Sequence, residues 1–267
     1  EFYKVANGGS EKIGENEIKR QRISEDEVTY HTKDEFGPTY KASIYTEEET
    51  DKSGLYKWFW GDHYREVYRK KIEVPVLWID TIPGNPTGMR EGGGHQSRSV
   101  RIKGEDDHEY TLREVRKSAL RFIQSFIKDH YIYSYMKETI AEDLVQDFYT
   151  TAHPYAPFAT GEMFKAVDIS YSQPDIYYVP KQKNLGIYNE DYGDKLYMLE
   201  AHAGDENKEF ERFGQPDDIL STSDMFLEVR EGKDVKIDED VFIKQCFPIL
   251  VPLLIVQFDI ITDPSPT

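Results

Sequence analysis

Three consecutive glycines, Gly92, Gly93 and Gly94, constrain this chain more than any other stretch of it. They remove every side chain from a loop that leads straight into Gln96-Ser97-Arg98-Ser99-Val100-Arg101-Ile102, whose alternation predicts a strand. Gly104-Glu105-Asp106-Asp107 reads as a tight turn, and Tyr110-Thr111-Leu112-Arg113 begins the returning strand. A glycine loop lets backbone amides approach an anion, and basic residues on the next strand can meet the same charge. The pattern is that of a hairpin able to cover a phosphate.

Charge sharpens this reading. The 267 residues carry a formal charge of −17, which argues against a general nucleic-acid or anionic-membrane surface. Against that background Arg98, Arg101 and Lys103, then Arg113, Arg116 and Lys117, stand out as local basic clusters. The single cysteine, Cys246, excludes an internal disulfide and any zinc site built from cysteines, but leaves the compartment open. No run of about 18 apolar residues is present, so no transmembrane helix is expected. No leader is visible at Glu1, and a chain that opens without Met and closes on Asp-Pro-Ser-Pro-Thr reads as part of something longer.

Taken in order, residues 1–50 are acidic and poor in apolar periodicity, and read as a linker or strap following an upstream domain. Within them, Phe2-Tyr3-Lys4-Val5 reads as the tail of a strand ahead of an Asn7-Gly8-Gly9 turn. A short helix over 55–70 is expected to bury Trp58, Phe59 and Tyr64 against a sheet. Val74–Asp80 reads as a strand, with Pro75 marking an edge or a start, and Pro83–Gly88 as loop. Residues 118–152 form a long helical stretch, with Leu120, Phe122, Ile123 and Phe126 on one stripe and Ile140, Leu144, Val145 and Phe148 on a second. It ends by His153-Pro154, and a further helix over 154–168 is expected. Strands follow at 176–180 and 195–200. Ser221 caps a helix, and Asp238 caps one more. From residue 246 to 267 the chain becomes an apolar tail interrupted by proline. The expected class is α+β: a mostly antiparallel sheet of 74–80, 97–103, 109–115, 176–180 and 195–200, with helices packed on one face.

Several strings, in this order, carry a resemblance: Gly61-Asp62-His63-Tyr64-Arg65-Glu66, Gly92–Arg101, Tyr110–Arg113, Ala152-His153-Pro154-Tyr155-Ala156, and Leu185-Gly186 to Leu196–Glu200. Over roughly residues 50–245 the chain resembles the kinase-like domain of large Bacteroidetes outer-membrane proteins. In that family the domain sits between a calcineurin-like metallophosphoesterase and a surface-antigen β-barrel. The resemblance implies a kinase-like N-lobe, hinge and start of a C-lobe over 51–245, in the cell envelope, periplasm or outer membrane. It implies ATP with Mg²⁺ as cofactor, an upstream phosphoesterase domain and downstream β-barrel as partners, and no nucleic acid.

Site residues follow from the same resemblance. Gly92, Gly93 and Gly94 would cover the phosphates, with Gln96 and Arg98 beside them. Arg113, or alternatively Lys117, would contact the phosphates from its strand. Asp147, or alternatively Glu142, would be the helix carboxylate paired with that base, and Leu199 and Glu200 would form the hinge. Local pairing is the competing reading: Arg113 with Glu109 or Glu114, Asp147 as a solvated helix carboxylate, and Glu200 as an ordinary strand end.

The chain departs from the family at the catalytic loop. No Asp-Arg-His string occurs, and 247–256 is apolar where that loop is expected. Phosphoryl transfer needs an acid–base aspartate and metal-holding side chains, so the expectation is a nucleotide-binding domain that is incomplete and inactive as this chain. The alternative is a non-catalytic connector between phosphoesterase and barrel. A metallohydrolase finds little support, because His63, His95, His108 and His153 show no recognised ligand spacing.

Overall fold

The structure is a computed structural model that describes residues 2–6, 9–14, 29–92, 96–127, 130–233 and 238–246. Two units can be distinguished, Glu1–Tyr30 and His31–Thr267. In the first, β1 (Phe2–Ala6) pairs antiparallel with β2 (Gly9–Gly14). The second is α+β. It starts at His31 rather than at residue 51, and Ile44 and Tyr45 are part of its core at 7% and 3% exposure. The acidic composition of 31–50 hides this, since two well-placed apolar residues suffice to anchor a polar segment.

A small sheet joins β3 (Thr39–Ala42) and β4 (Ile72–Pro75). The main sheet holds β5 (Pro86–Glu91), β6 (Ser99–Gly104), β7 (Glu109–Glu114), β8 (Asp175–Val179) and β9 (Lys195–Ala201). Its order is β5-β6-β7-β9-β8, antiparallel throughout. Two expectations are corrected here. The apolar run from Val74 belongs to the small sheet and then turns through a 3₁₀ segment at Ile79–Thr81, touching the main sheet by one bridge, Val76 to Tyr178. The place of an edge strand is taken by 86–91, its first half expected as loop, where Pro86 starts the strand and a register shift lies between Pro86 and Gly88.

Alternation along the strands separates two packed faces. Val100, Ile102, Leu112 and Tyr197 are at most 1% exposed and form one core with Leu77, Ile79, Leu185 and Tyr192. Each such aliphatic side chain contributes about 1.5–3 kcal/mol by leaving water. This covering layer is pinned by buried Gln182, whose Oε1 accepts from Ile79 N–H (2.8 Å) and whose Nε2 donates to the Leu77 carbonyl (3.1 Å). The opposite face packs Val115, Tyr178 and Leu196 on Ile44, Tyr45, Tyr68 and Val74.

Among the described residues the helices include α1 (Glu47–Thr50), α2 (Gly54–Trp60), α3 (Arg65–Arg69), α4 (Ala119–Phe126), α5 (Tyr133–Met136), α6 (Ile140–Phe148), α7 (Ala156–Ala166), α8 (Asn189–Tyr192) and α9 (Thr222–Arg230). The stretch expected as one helix over 118–152 is divided. Ser118 caps α4 by accepting from Arg121 N–H, Glu138 turns into the left-handed region at φ 61°, and Thr139 caps α6 afresh. Ser221 and Asp238 cap as expected, the latter through Val241 N–H at 3.1 Å. Trp58 and Phe59 are not buried: they are 79% and 74% exposed, because α2 turns Tyr56 and Trp60 inward instead. The apolar run 247–256 lies outside the described residues.

Candidate functional site

The expected site residues fall at two ends of the main sheet. At the first end Gly92 donates its N–H to the Ser99 carbonyl at 2.8 Å, and a Cβ added there would stand 2.3 Å from Ser99 Oγ. A side chain at this position would have to move the Ser99 hydroxyl. Gly93 and Gly94 lie outside the described residues. The Gln96 carbonyl accepts from Ser118 N–H at 2.6 Å, tying Gln96 to the start of α4.

Arg98, also at this end, is held by the Asp191 carboxylate. Around it Arg121 donates to Glu91 (2.8 Å), the Tyr192 hydroxyl donates to the same Glu91 oxygen (3.2 Å), and Lys195 stands 3.7 Å from Glu114. Burial raises the Glu114 carboxyl above its usual range and lowers the Lys195 ammonium. The Tyr197 hydroxyl, fully buried beside them, has no hydrogen-bond partner among the described residues. An anion entering here would have to displace carboxylates from all three cations.

Arg113 and Glu200 lie diagonally on one sheet face, since Thr111 opposes Glu200 and Arg113 opposes Met198. Their side chains meet at 3.4 Å, and Ser172 Oγ donates to the other Glu200 oxygen at 2.6 Å. The expected pairing of Arg113 with a helix carboxylate is therefore not formed. Asp147 is neither that partner nor a solvated group: it is 4% exposed and bound to Arg65. Glu142 accepts from Glu138 N–H at 2.6 Å and so closes the start of α6. Lys117 sets its ammonium over the Tyr149 ring, 5.4 Å from the centroid, and burial lowers its pKa.

The second end opens into a hollow of about 1070 Å³ whose wall includes Tyr110, Lys165, Tyr177, Leu199, Glu200 and Arg212. Pairing of β8 stops where Asp175 meets Leu199, whereas β7 follows β9 as far as Ala201. On its β8 side the last two residues of β9 therefore have no paired strand. Leu199 and Glu200 reach this hollow; Gly92 and Arg113 are not part of its wall. In size and in its aromatic wall it suits a planar base.

Sequence reasoning missed Glu109, His202 and Glu206, which bring one ligand atom each within 4.8 Å of one another. His202 and Glu206 at i and i+4 are a local signal, but Glu109 comes from β7 and is distant in sequence. No family model matches this chain, and neither a curated protein nor a solved structure does. Among the described residues no helix is long and apolar enough to cross a membrane.

Proposed function

We propose that this chain is the nucleotide-binding part of a kinase-like domain of a cell-envelope protein, associated with a metallophosphoesterase and inactive in phosphoryl transfer. The observation that carries the reading is the end of β9. Leu199 and Glu200, expected as the hinge, border the hollow of about 1070 Å³ beside Tyr110 and Tyr177, with a strand edge left open for hydrogen bonds to a base. The succession of elements agrees with it: a glycine, Gly92, directly after β5, a basic residue on β7, helices, and a returning hairpin that sets β9 beside β7. Bound there, ATP with Mg²⁺ would set its base against Tyr110, Tyr177 and Leu199. Arg113 would meet the phosphates only after releasing Glu200. The chain lacks an Asp-Arg-His string, so binding without transfer is the activity expected.

Titration with Mg-ATP, followed by thermal shift, tests this. The expected result is a saturable rise in melting temperature that Leu199→Trp abolishes by filling the hollow, and that Arg113→Ala reduces. No shift in the wild type, or an equal shift in Leu199→Trp, would discard the reading.

The second reading, a connector that mediates contacts between a phosphoesterase and a barrel, draws on one observation. Leu55, Trp58 and Phe59 stand 76%, 79% and 74% exposed on α2, a concentration of apolar surface that solvent alone does not favour.

A further inference from the structure

Where β9 leaves the sheet, the chain turns back against β7, and one residue organises the turn. Asn207 is fully buried. Its Nδ2 donates to the carbonyls of Glu109 (2.6 Å) and His202 (2.7 Å), and its Oδ1 accepts from Glu109 N–H (3.3 Å). A further bond from His202 N–H to the Glu109 carbonyl, at 2.9 Å, closes the same junction. The backbones bearing Glu109, His202 and Glu206 are thus fixed relative to one another before any ligand arrives. Gly204 leaves room for this, because a Cβ there would stand 2.6 Å from the Glu206 carboxylate oxygens.

The side chains converge inside that frame. His202 Nδ1 lies 3.5 Å from Thr111 Oγ1, which turns Nε2 towards Glu206 Oε1 at 3.6 Å. That separation is too long for a hydrogen bond, but it is close to the spacing of two ligands on one metal with bonds of about 2.0–2.2 Å. Glu206 Oε1 is shut off from solvent and accepts no hydrogen bond among the described residues. A carboxylate oxygen in that condition is expensive unless a cation faces it. We propose that Glu109, His202 and Glu206 bind one divalent transition-metal ion of the zinc class, clasping the exit of β9 to β7.

The donor set selects the ion. An imidazole with two carboxylates favours Zn²⁺, Co²⁺ or Mn²⁺ over Ca²⁺ or Mg²⁺, which prefer oxygen ligands only, and three protein donors leave a position for water. The opposing charges are two arginines on the neighbouring strands. Arg90 Nη2 donates to both Glu109 oxygens, at 3.0 and 2.7 Å, and Arg101 lies 3.7 Å from one of them. On the other side His108 Nδ1 stands 3.2 Å from Glu209 and 3.0 Å from the Glu206 carbonyl, outside the three-residue set. Arg90 therefore competes with the ion for Glu109.

Calorimetric titration of the chelator-treated chain with Zn²⁺ tests the assignment, with Co²⁺ absorption as a spectroscopic check on the ligand set. One equivalent should bind, His202→Ala and Glu206→Gln should each weaken it by about tenfold or more, and Arg90→Ala should tighten it. The Co²⁺-bound chain should show a visible band that His202→Ala removes. Circular dichroism establishes that each variant is folded. If Zn²⁺ gives no heat, or if both ligand variants bind as the wild type does, the site is overturned. Unchanged affinity in Arg90→Ala removes Glu109 from the set and overturns the three-ligand site as well. None of these outcomes depends on nucleotide.

Discussion

Arg65 and Asp147 grip each other at two points, Nε to Oδ1 at 2.8 Å and Nη2 to Oδ2 at 2.6 Å, with 3% of each side chain exposed. The pair joins α3 to α6, and every polar atom of the two side chains is used. Arg65 Nη1 donates to the carbonyls of Gly61 (2.6 Å) and Asp62 (2.9 Å), and the Tyr56 hydroxyl donates to Asp147 Oδ2 at 3.0 Å. Removing water from two charges is costly, and only such complete satisfaction offsets it.

Breaking one half of the pair should therefore be severe. Asp147→Ala or Arg65→Ala is expected to lower stability by about 3–5 kcal/mol, because the other charge stays buried alone. Urea denaturation measures this. Burial alone would raise the Asp147 carboxyl, but hydrogen bonds from Arg65 and Tyr56 outweigh it and hold its pKa below the usual value of 3.8. A carboxylate with a depressed folded pKa stabilises the fold above its unfolded pKa and stops doing so as pH falls through the folded one. Acid unfolding of Asp147→Asn should accordingly lack this part of the wild-type slope below about pH 4. An identical acid limb in both would contradict the account.

Gly92→Ala should destabilise by about 1–3 kcal/mol, because the new methyl meets Ser99 Oγ, on a residue only 4% exposed. Adding Ser99→Ala should recover a large part of that loss. Chemical denaturation of the two single variants and the double variant gives the coupling directly. Simple additivity would mean that the glycine serves the loop's backbone freedom and not the close approach.

Glu114 has the opposite sign to Asp147. Burial raises its folded pKa above the usual 4.5, although Lys195 and Arg98 pull it down. The folded state then holds the proton more tightly, so Glu114 withdraws stability as pH rises through and above 4.5. Glu114→Gln should gain on the wild type as pH is raised from about 4 to 6. Melting temperatures of both proteins across that interval check it, and a constant difference would refute it.

Much of the sheet was legible because alternation survives in its central strands. The hairpin of β6 and β7 follows from Val100, Ile102, Tyr110 and Leu112, and β9 from its apolar run. The run beginning at Val74 misleads for a physical reason: its apolar content states that it is buried, not which strand it joins. The same limit applies to α2, whose rings announce a packed side without saying whether Trp58 or Trp60 lies on it. Of the residues expected in the site, the strand that bears Leu199 and Glu200 could be read locally. Arg65 and Asp147, 82 positions apart, could not, nor could the meeting of Glu109 with His202. Pairing over such separations belongs to the packed chain, and no local pattern encodes it.

The two borders of the main sheet are obstructed at different points. Pro86, which has no N–H to offer, begins β5, and a register shift follows it. At β8 the Tyr178 carbonyl is already taken by Leu77 N–H at 2.9 Å. A flat, unguarded border would recruit strands from other copies of the chain. Each obstacle is local: strand addition is hindered beside Pro86 on β5 and at the Tyr178 carbonyl on β8, and the irregular starts of both borders work against the flat pairing that fibrils need.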